Sequence, residues 1–131
     1  WAISPGQTGG PAPIDVPHGF HTLIITAGKG KLPPSHSHPY NEVFMCLEGR
    51  FAIFYGVESE AKAQRGEPDL VLEKFDMVSV PPGTMRTFAC LDDEPGTLMT
   101  IFETFGDPNI GVVVPPDLYE KYYKPTEKAA E

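Results

Sequence analysis

The chain has 131 residues, 40% of them hydrophobic, with 10 Lys plus Arg against 18 Asp plus Glu and a formal charge of −8. A length of this order makes one domain, which buries roughly two-thirds of its unfolded surface and needs no staples to fold. The acidic balance argues against nucleic acid or an anionic membrane as partner, since both need a positive field, and no apolar run approaches the ~20 residues of a membrane span.

In chain order, residues 1–17 hold four prolines and three glycines with little periodicity and read as an N-terminal arm. The chain begins at Trp1 rather than methionine, without a basic-then-apolar start, and reads as trimmed from something longer. From Gly19 onward, short β-rich runs alternate with turn chemistry. The expected strands are "FHTLIITA", "NEVFMCL", "FAIFYG", "LVLEKF", "MVSVP", "RTFACL" and "TLMTIFE", with "VESEAKAQRGEP" as a charged loop. Six to eight strands at this spacing indicate an all-β sandwich or barrel, with no room for the crossover helices of a parallel sheet. One helix is expected near the end, in "PPDLYEKYYK", where Asp117 and Glu120 make a capping-box-like pair and Leu118 and Tyr122 share a face. The domain plan is therefore an arm (1–17), a barrel (18–114), and a helix with a tail (115–131).

Cys46 and Cys90 lie in apolar stretches and are expected to be reduced, buried thiols, which points weakly to a cytoplasmic setting. The residues that carry chemistry are in "GKLPPSHSHPYNEVFMCLEG". Along a strand, side chains alternate faces, so His36 and His38 point the same way, and Glu42 shares their parity. Two neutral imidazoles and a carboxylate converging on a point form the ligand set of a divalent first-row metal: Fe, Mn, Co, Ni, Cu or Zn. An isolated H-x-H is also what a polar surface strand supplies by chance, so the pair needs its context.

That context is a spacing. Gly30, five residues, His36-Ser37-His38, three residues, Glu42, six residues and Gly49 resemble the first signature of the cupin superfamily. The stretch "FDMVSVPPGTMRTF", with Asp76, Pro81, Pro82 and Gly83, resembles the second. The resemblance spans Gly30 to Phe88 and, with flanking strands, most of Phe20 to Glu103. It implies a small antiparallel, jelly-roll-like β-barrel with a metal in its mouth on His36, His38 and Glu42. The sequence departs from the family where the last metal-binding histidine usually stands, three positions after the glycine: here it is Arg86. A guanidinium is permanently charged and has no lone pair, so it cannot ligate.

Two arrangements are open. In the favoured one, the metal stays on His36, His38 and Glu42 with open positions, and Arg86 binds a carboxylate, phenolate or enolate of the substrate. In the other, Arg86 takes the cation's place, pairs with Glu42, and leaves a metal-free pocket. Phe44, Tyr55 and Phe88 are expected to meet the substrate, and Arg86 and Glu42 to be catalytic. His21 in the first strand, and more remotely His18, are candidate extra ligands, while Cys46 is read as pocket lining. Met45, Phe51, Ile53, Met99, Ile101 and Phe102 supply further core and wall. An apolar, aromatic-walled site with one charged end suits a small anionic or enolic molecule.

The resemblance implies a metal-dependent oxidoreductase of the dioxygenase or quercetinase type. The alternatives are a metal-assisted cyclase, isomerase or decarboxylase, and a sensor-like cupin that binds a small molecule without reacting. A metal-free sugar-nucleotide epimerase is disfavoured, because it needs an acid/base pair rather than H-x-H-x3-E. A homodimer through exposed edge strands, with the proline-rich arm crossing between subunits, is the expected assembly.

Overall fold

The computed structural model describes residues 19–30, 33–104 and 111–123. Each expected strand run forms a strand: β1 (His21–Ala27), β2 (Glu42–Glu48), β3 (Phe51–Tyr55), β4 (Leu70–Leu72), β5 (Met77–Val80), β6 (Arg86–Cys90) and β7 (Gly96–Phe102). They make a four-stranded sheet in the order β1-β7-β2-β5 and a three-stranded sheet in the order β4-β3-β6. All pairings between these strands are antiparallel. The architecture is the expected small all-β barrel of two facing sheets. The N-terminal arm, His18 and the tail beyond Tyr123 lie outside the described residues, and no described helix is long and apolar enough to cross a membrane.

Period-two patterning decides what faces inward. On β2 the buried residues are Glu42, Phe44 and Cys46, and on β7 they are Gly96, Leu98, Thr100 and Phe102. Phe51, Ile53, Phe88 and Cys90 answer from the other sheet and close one core with them. Gly96 is required where the sheets meet, because a Cβ there would lie 2.8 Å from the Phe51 ring. Gly49 turns the chain between β2 and β3 with φ +78°, a conformation that a side chain disfavours. Cys46 and Cys90 are both free and buried, as expected.

β3 and β6 are buried on both faces, because something covers the second one. That cover is a helix which the charged loop does not announce: α1 (Ser59–Arg65), over Ala52, Phe54 and Ala89. Its N-cap, Glu58, makes no side-chain capping bond, so the usual start signal is missing. Its end is conventional, with Gly66 left-handed and the N–H groups of Gly66 and Glu67 on the Ala63 and Lys62 carbonyls. The expected C-terminal helix forms as α2 (Pro116–Tyr123) and buries Leu118, while Tyr122 stays largely exposed.

One inward group is badly served. Thr100 Oγ1 is buried and has no hydrogen-bond partner among the described residues. An unsatisfied buried hydroxyl costs more than it contributes. Thr100→Val should therefore raise the unfolding free energy by about 1 kcal/mol, read as a higher urea midpoint at unchanged slope. A lower midpoint would mean that the hydroxyl has a partner.

Candidate functional site

The mouth of the barrel encloses a cavity of about 740 Å³. Its apolar wall comes from β1 (Ile25, Ala27), Pro33, Phe88, Phe102 and the C-terminal segment (Val112, Val114), with Tyr123 at the rim. Its ionisable lining is His36, His38, Glu42 and Tyr123, with no Lys or Arg among the described residues.

His36 is held from three directions. Its backbone exchanges both hydrogen bonds with Arg86 (His36 N to Arg86 O 3.1 Å, Arg86 N to His36 O 2.9 Å), an antiparallel pair that sends both side chains to one face. Thr87 Oγ1 donates to Pro33 O at 2.7 Å, and Ser35 N–H donates to Glu60 of α1 at 2.9 Å. The hydroxyls of Ser35 and Ser59 also touch. His36 Nδ1 lies 2.8 Å from Pro34 O. A carbonyl only accepts, so Nδ1 carries the proton, and the neutral ring keeps its lone pair on Nε2. Burial lowers the His36 pKa most, with Arg86 adding to the effect, against the Pro34 hydrogen bond that raises it.

His38 is buried, its Nδ1 3.1 Å from Tyr40 Oη and its ring stacked on Tyr40 with centroids 5.2 Å apart. The two histidine rings meet edge to face at 4.9 Å. Glu42, the first residue of β2, is paired across strands with Val80 and Phe102 and faces inward. Arg86 Nε and Nη2 both donate to Glu42 Oε2, at 2.8 and 2.5 Å, and Arg86 Nη1 donates to Thr84 O at 2.9 Å. The Arg86 side chain is 0% exposed and that of Glu42 4%. Burial pushes the Glu42 carboxyl above the usual carboxylate range, more strongly than Arg86 pulls it down.

The H-x-H pair and Glu42 thus converge on the mouth, as their parity suggests. His38 Nε2 lies 3.9 Å from Glu42 Oε2, while among the described residues no group of three or more His, Cys, Asp or Glu is arranged to hold a metal. The reason is chemical. The Arg86 guanidinium is bound to Glu42, and a dication a few ångströms from it would be repelled by several kcal/mol at intermediate dielectric. As placed, Glu42 Oε2 is committed to Arg86 and is not free for an ion. The second of the two arrangements considered for Arg86 is the one the coordinates adopt, and Arg86 does not line the cavity where a substrate anion was expected to meet it.

The remaining expectations divide. Phe88 lines the cavity. Phe44 and Cys46 are in the core, the Phe44 ring 5.4 Å from that of Phe88. Tyr55 pairs with Arg86 at the end of β3 but is 47% exposed, with Lys62 Nζ 5.4 Å from its ring centroid. His21 shares the cross-strand row of Phe102 and Glu42. It sits two strands from Glu42, about 10 Å by strand spacing, and is buried without lining the cavity. The lining residues that the sequence did not indicate are those of β1 (Ile25, Ala27), Pro33 and the C-terminal segment. There the Val113 and Ser37 backbones exchange two hydrogen bonds, at 2.9 and 3.0 Å, laying Val112 and Val114 over the mouth. The three consecutive valines were the available signal.

A family model described as a cupin domain matches residues 23–102. The chain belongs to the cupin family. No curated protein sequence matches it. Among solved cupin-fold neighbours, an oxalate oxidase superposes with a TM-score of 0.57 at 19% identity, covering 73% of this chain and 46% of that one. The DMSP lyase DddQ from Ruegeria pomeroyi DSS-3 superposes with a TM-score of 0.59 at 21% identity, covering 87% and 50%. The plu4264 protein from Photorhabdus luminescens gives 0.54 at 18%, covering 69% and 68%. This cupin spans about half the length of the two enzymes, and identities this low establish the shared fold.

Proposed function

We propose that this cupin takes a small organic molecule into its barrel mouth. His36 and His38 meet the molecule's polar end, and the Arg86–Glu42 ion pair fills the place of a metal. The observation that carries the reading is the cavity itself: lined mostly by apolar side chains, with His36, His38 and Glu42 close to one another in its wall and Glu42 backed by a guanidinium. Such an arrangement is a ligand pocket. The paired imidazoles also suit proton transfer, since His36 Nδ1 is held on the Pro34 carbonyl and Nε2 is the nitrogen left to exchange a proton. Dioxygenase chemistry would need Glu42 released from Arg86.

A second reading, a metal-dependent enzyme acting on a small molecule, is favoured by one specific observation. His36 is anchored through Nδ1 in the way that metal-ligating histidines are held by their surroundings. The names of the fold neighbours, an oxalate oxidase and a DMSP lyase, give it a precedent on this fold without deciding it.

The pocket is tested by ligand-observed NMR with a panel of small aromatic and aliphatic compounds. Val112→Trp fills the cavity from the strap and should weaken binding of cavity ligands at least about tenfold, since a filled site cannot admit them. Binding that ignores Val112→Trp would place the ligand elsewhere.

A further inference from the structure

We infer that the outer face of the four-stranded sheet is the contact surface for a second copy of this chain, packed face to face about a two-fold axis.

The pattern of that sheet is the first observation. An antiparallel sheet with one face on the core and the other in water alternates apolar and polar residues. Here the outward positions do not turn polar. The strand registers align Ile24, Met99, Met45 and Met77 in one row that crosses the whole sheet. The next row is Thr22, Ile101, Val43 and Ser79. No residue in 22–26, 43–47, 77–79 or 97–101 is charged, in a chain that is 21% Asp, Glu, Lys and Arg. Val43, Met45, Met99 and Ile101 keep part of their surface exposed, and Met77 is 57% exposed.

The two sheets differ in what covers them. α1 packs over Ala52, Phe54 and Ala89 on the outer side of the three-stranded sheet. α2 is at the mouth, with Tyr123 on the cavity rim and Tyr122 Oη donating to Glu60 of α1 at 3.2 Å. Both described helices are thus engaged elsewhere.

The size suits a small interface. With strands about 4.8 Å apart and alternate residues about 7 Å apart, three rows on four strands make a face of about 400 Å². The exposed Phe20 extends it, forming with Val43, Ser79 and Ile101 a groove of about 440 Å³. Glu103, which accepts from Asn41 Nδ2 at 2.5 Å, stands in the wall of that groove. Next to β5, the exposed Phe75 is fixed by its N–H on Cys46 O at 2.7 Å. These rings bring the face past about 500 Å², the share of each partner in a small specific interface.

The occupant follows from charge and symmetry. Each chain carries a net charge of −8, so two copies pack closely only where neither brings acids to the centre of the contact. A two-fold axis through the middle of the sheet sets Met45 and Met99 of one chain against those of the other, a self-complementary contact. Thioether side chains adapt to such packing, and facing sheets stack about 10 Å apart. The contact uses the face of the sheet and not its edge strands.

Three of the four methionines lie in the central row, which gives the test its signals. Sedimentation of the full chain should give twice the chain mass. In methionine-methyl NMR, Met77 should be shielded from a soluble paramagnetic agent despite its exposure in the single chain. Met99→Glu places two charges near the axis and should weaken the dimer at least about a hundredfold. Val57→Glu, at an exposed position between β3 and α1, should leave it intact. A monomer at every concentration, a broadened Met77 signal, or a dimer that folded Met99→Glu leaves unchanged would overturn the inference. So would a monomer in which Met77 is shielded until residues 1–17 are removed, because the chain's own arm would then take the face. If Met99→Glu does not fold, the mass and the Met77 signal of the unmodified chain decide.

Discussion

Replacing Arg86 by methionine should destabilise the protein by about 3–5 kcal/mol, the usual cost of removing one partner of a buried ion pair. Arg86 is wholly enclosed, and its loss strands two acceptors at once, Glu42 Oε2 and the carbonyl of Thr84. Methionine has a similar reach and no donors, so the change isolates the polar loss from a packing loss. The double variant Arg86→Met with Glu42→Met should recover at least half of the deficit, because the cost of the single change is mostly that of the carboxylate left behind. Urea unfolding of the three proteins checks both statements. A single variant as stable as the parent would mean that the guanidinium is not bound to Glu42 in solution.

Arg86→His should create a metal site. Position 86 pairs through its backbone with His36, so a third imidazole there would project to the same face as the H-x-H pair. The same change frees Glu42 and removes a fixed positive charge beside the site. Relieving a repulsion of several kcal/mol at about tenfold per 1.4 kcal/mol gives a gain of at least about a thousandfold in affinity for Zn²⁺, Ni²⁺ or Mn²⁺. Competition with a chelating dye measures it. Equal affinities in the parent and the variant would show that Arg86 was never an obstacle.

Much of this was legible in the amino acids, for identifiable reasons. The strands were readable because alternation and turn residues coincide: β2 and β7 bury every second residue, and Gly49 sits where a positive φ is needed. The convergence of His36, His38 and Glu42 followed from parity, a local rule that survived the bend at Pro39 and Tyr40. What failed was non-local or lacked its local mark. α1 was read as loop because Glu58 does not cap it, and its reason to exist is the second face of β3 and β6. The strap over the mouth depends on Val113 meeting Ser37, a contact that no sequence window contains. Tyr55 was expected at the site and has the parity for it, being paired with Arg86, but it lies at the strand's end, where the barrel opens to solvent. The choice between the two roles of Arg86 turned on a few ångströms at the end of a long side chain, a distance that spacing does not encode.

The central claim is that a guanidinium, and not a metal ion, neutralises Glu42 in the barrel mouth. It is tested most directly by the metal content of the unmodified protein, purified without chelators or added metal and measured by elemental analysis alongside Arg86→His. The account expects far less than one first-row ion per chain in the parent and close to one in the variant. A near-stoichiometric ion in the parent, lost on His36→Ala, would contradict it.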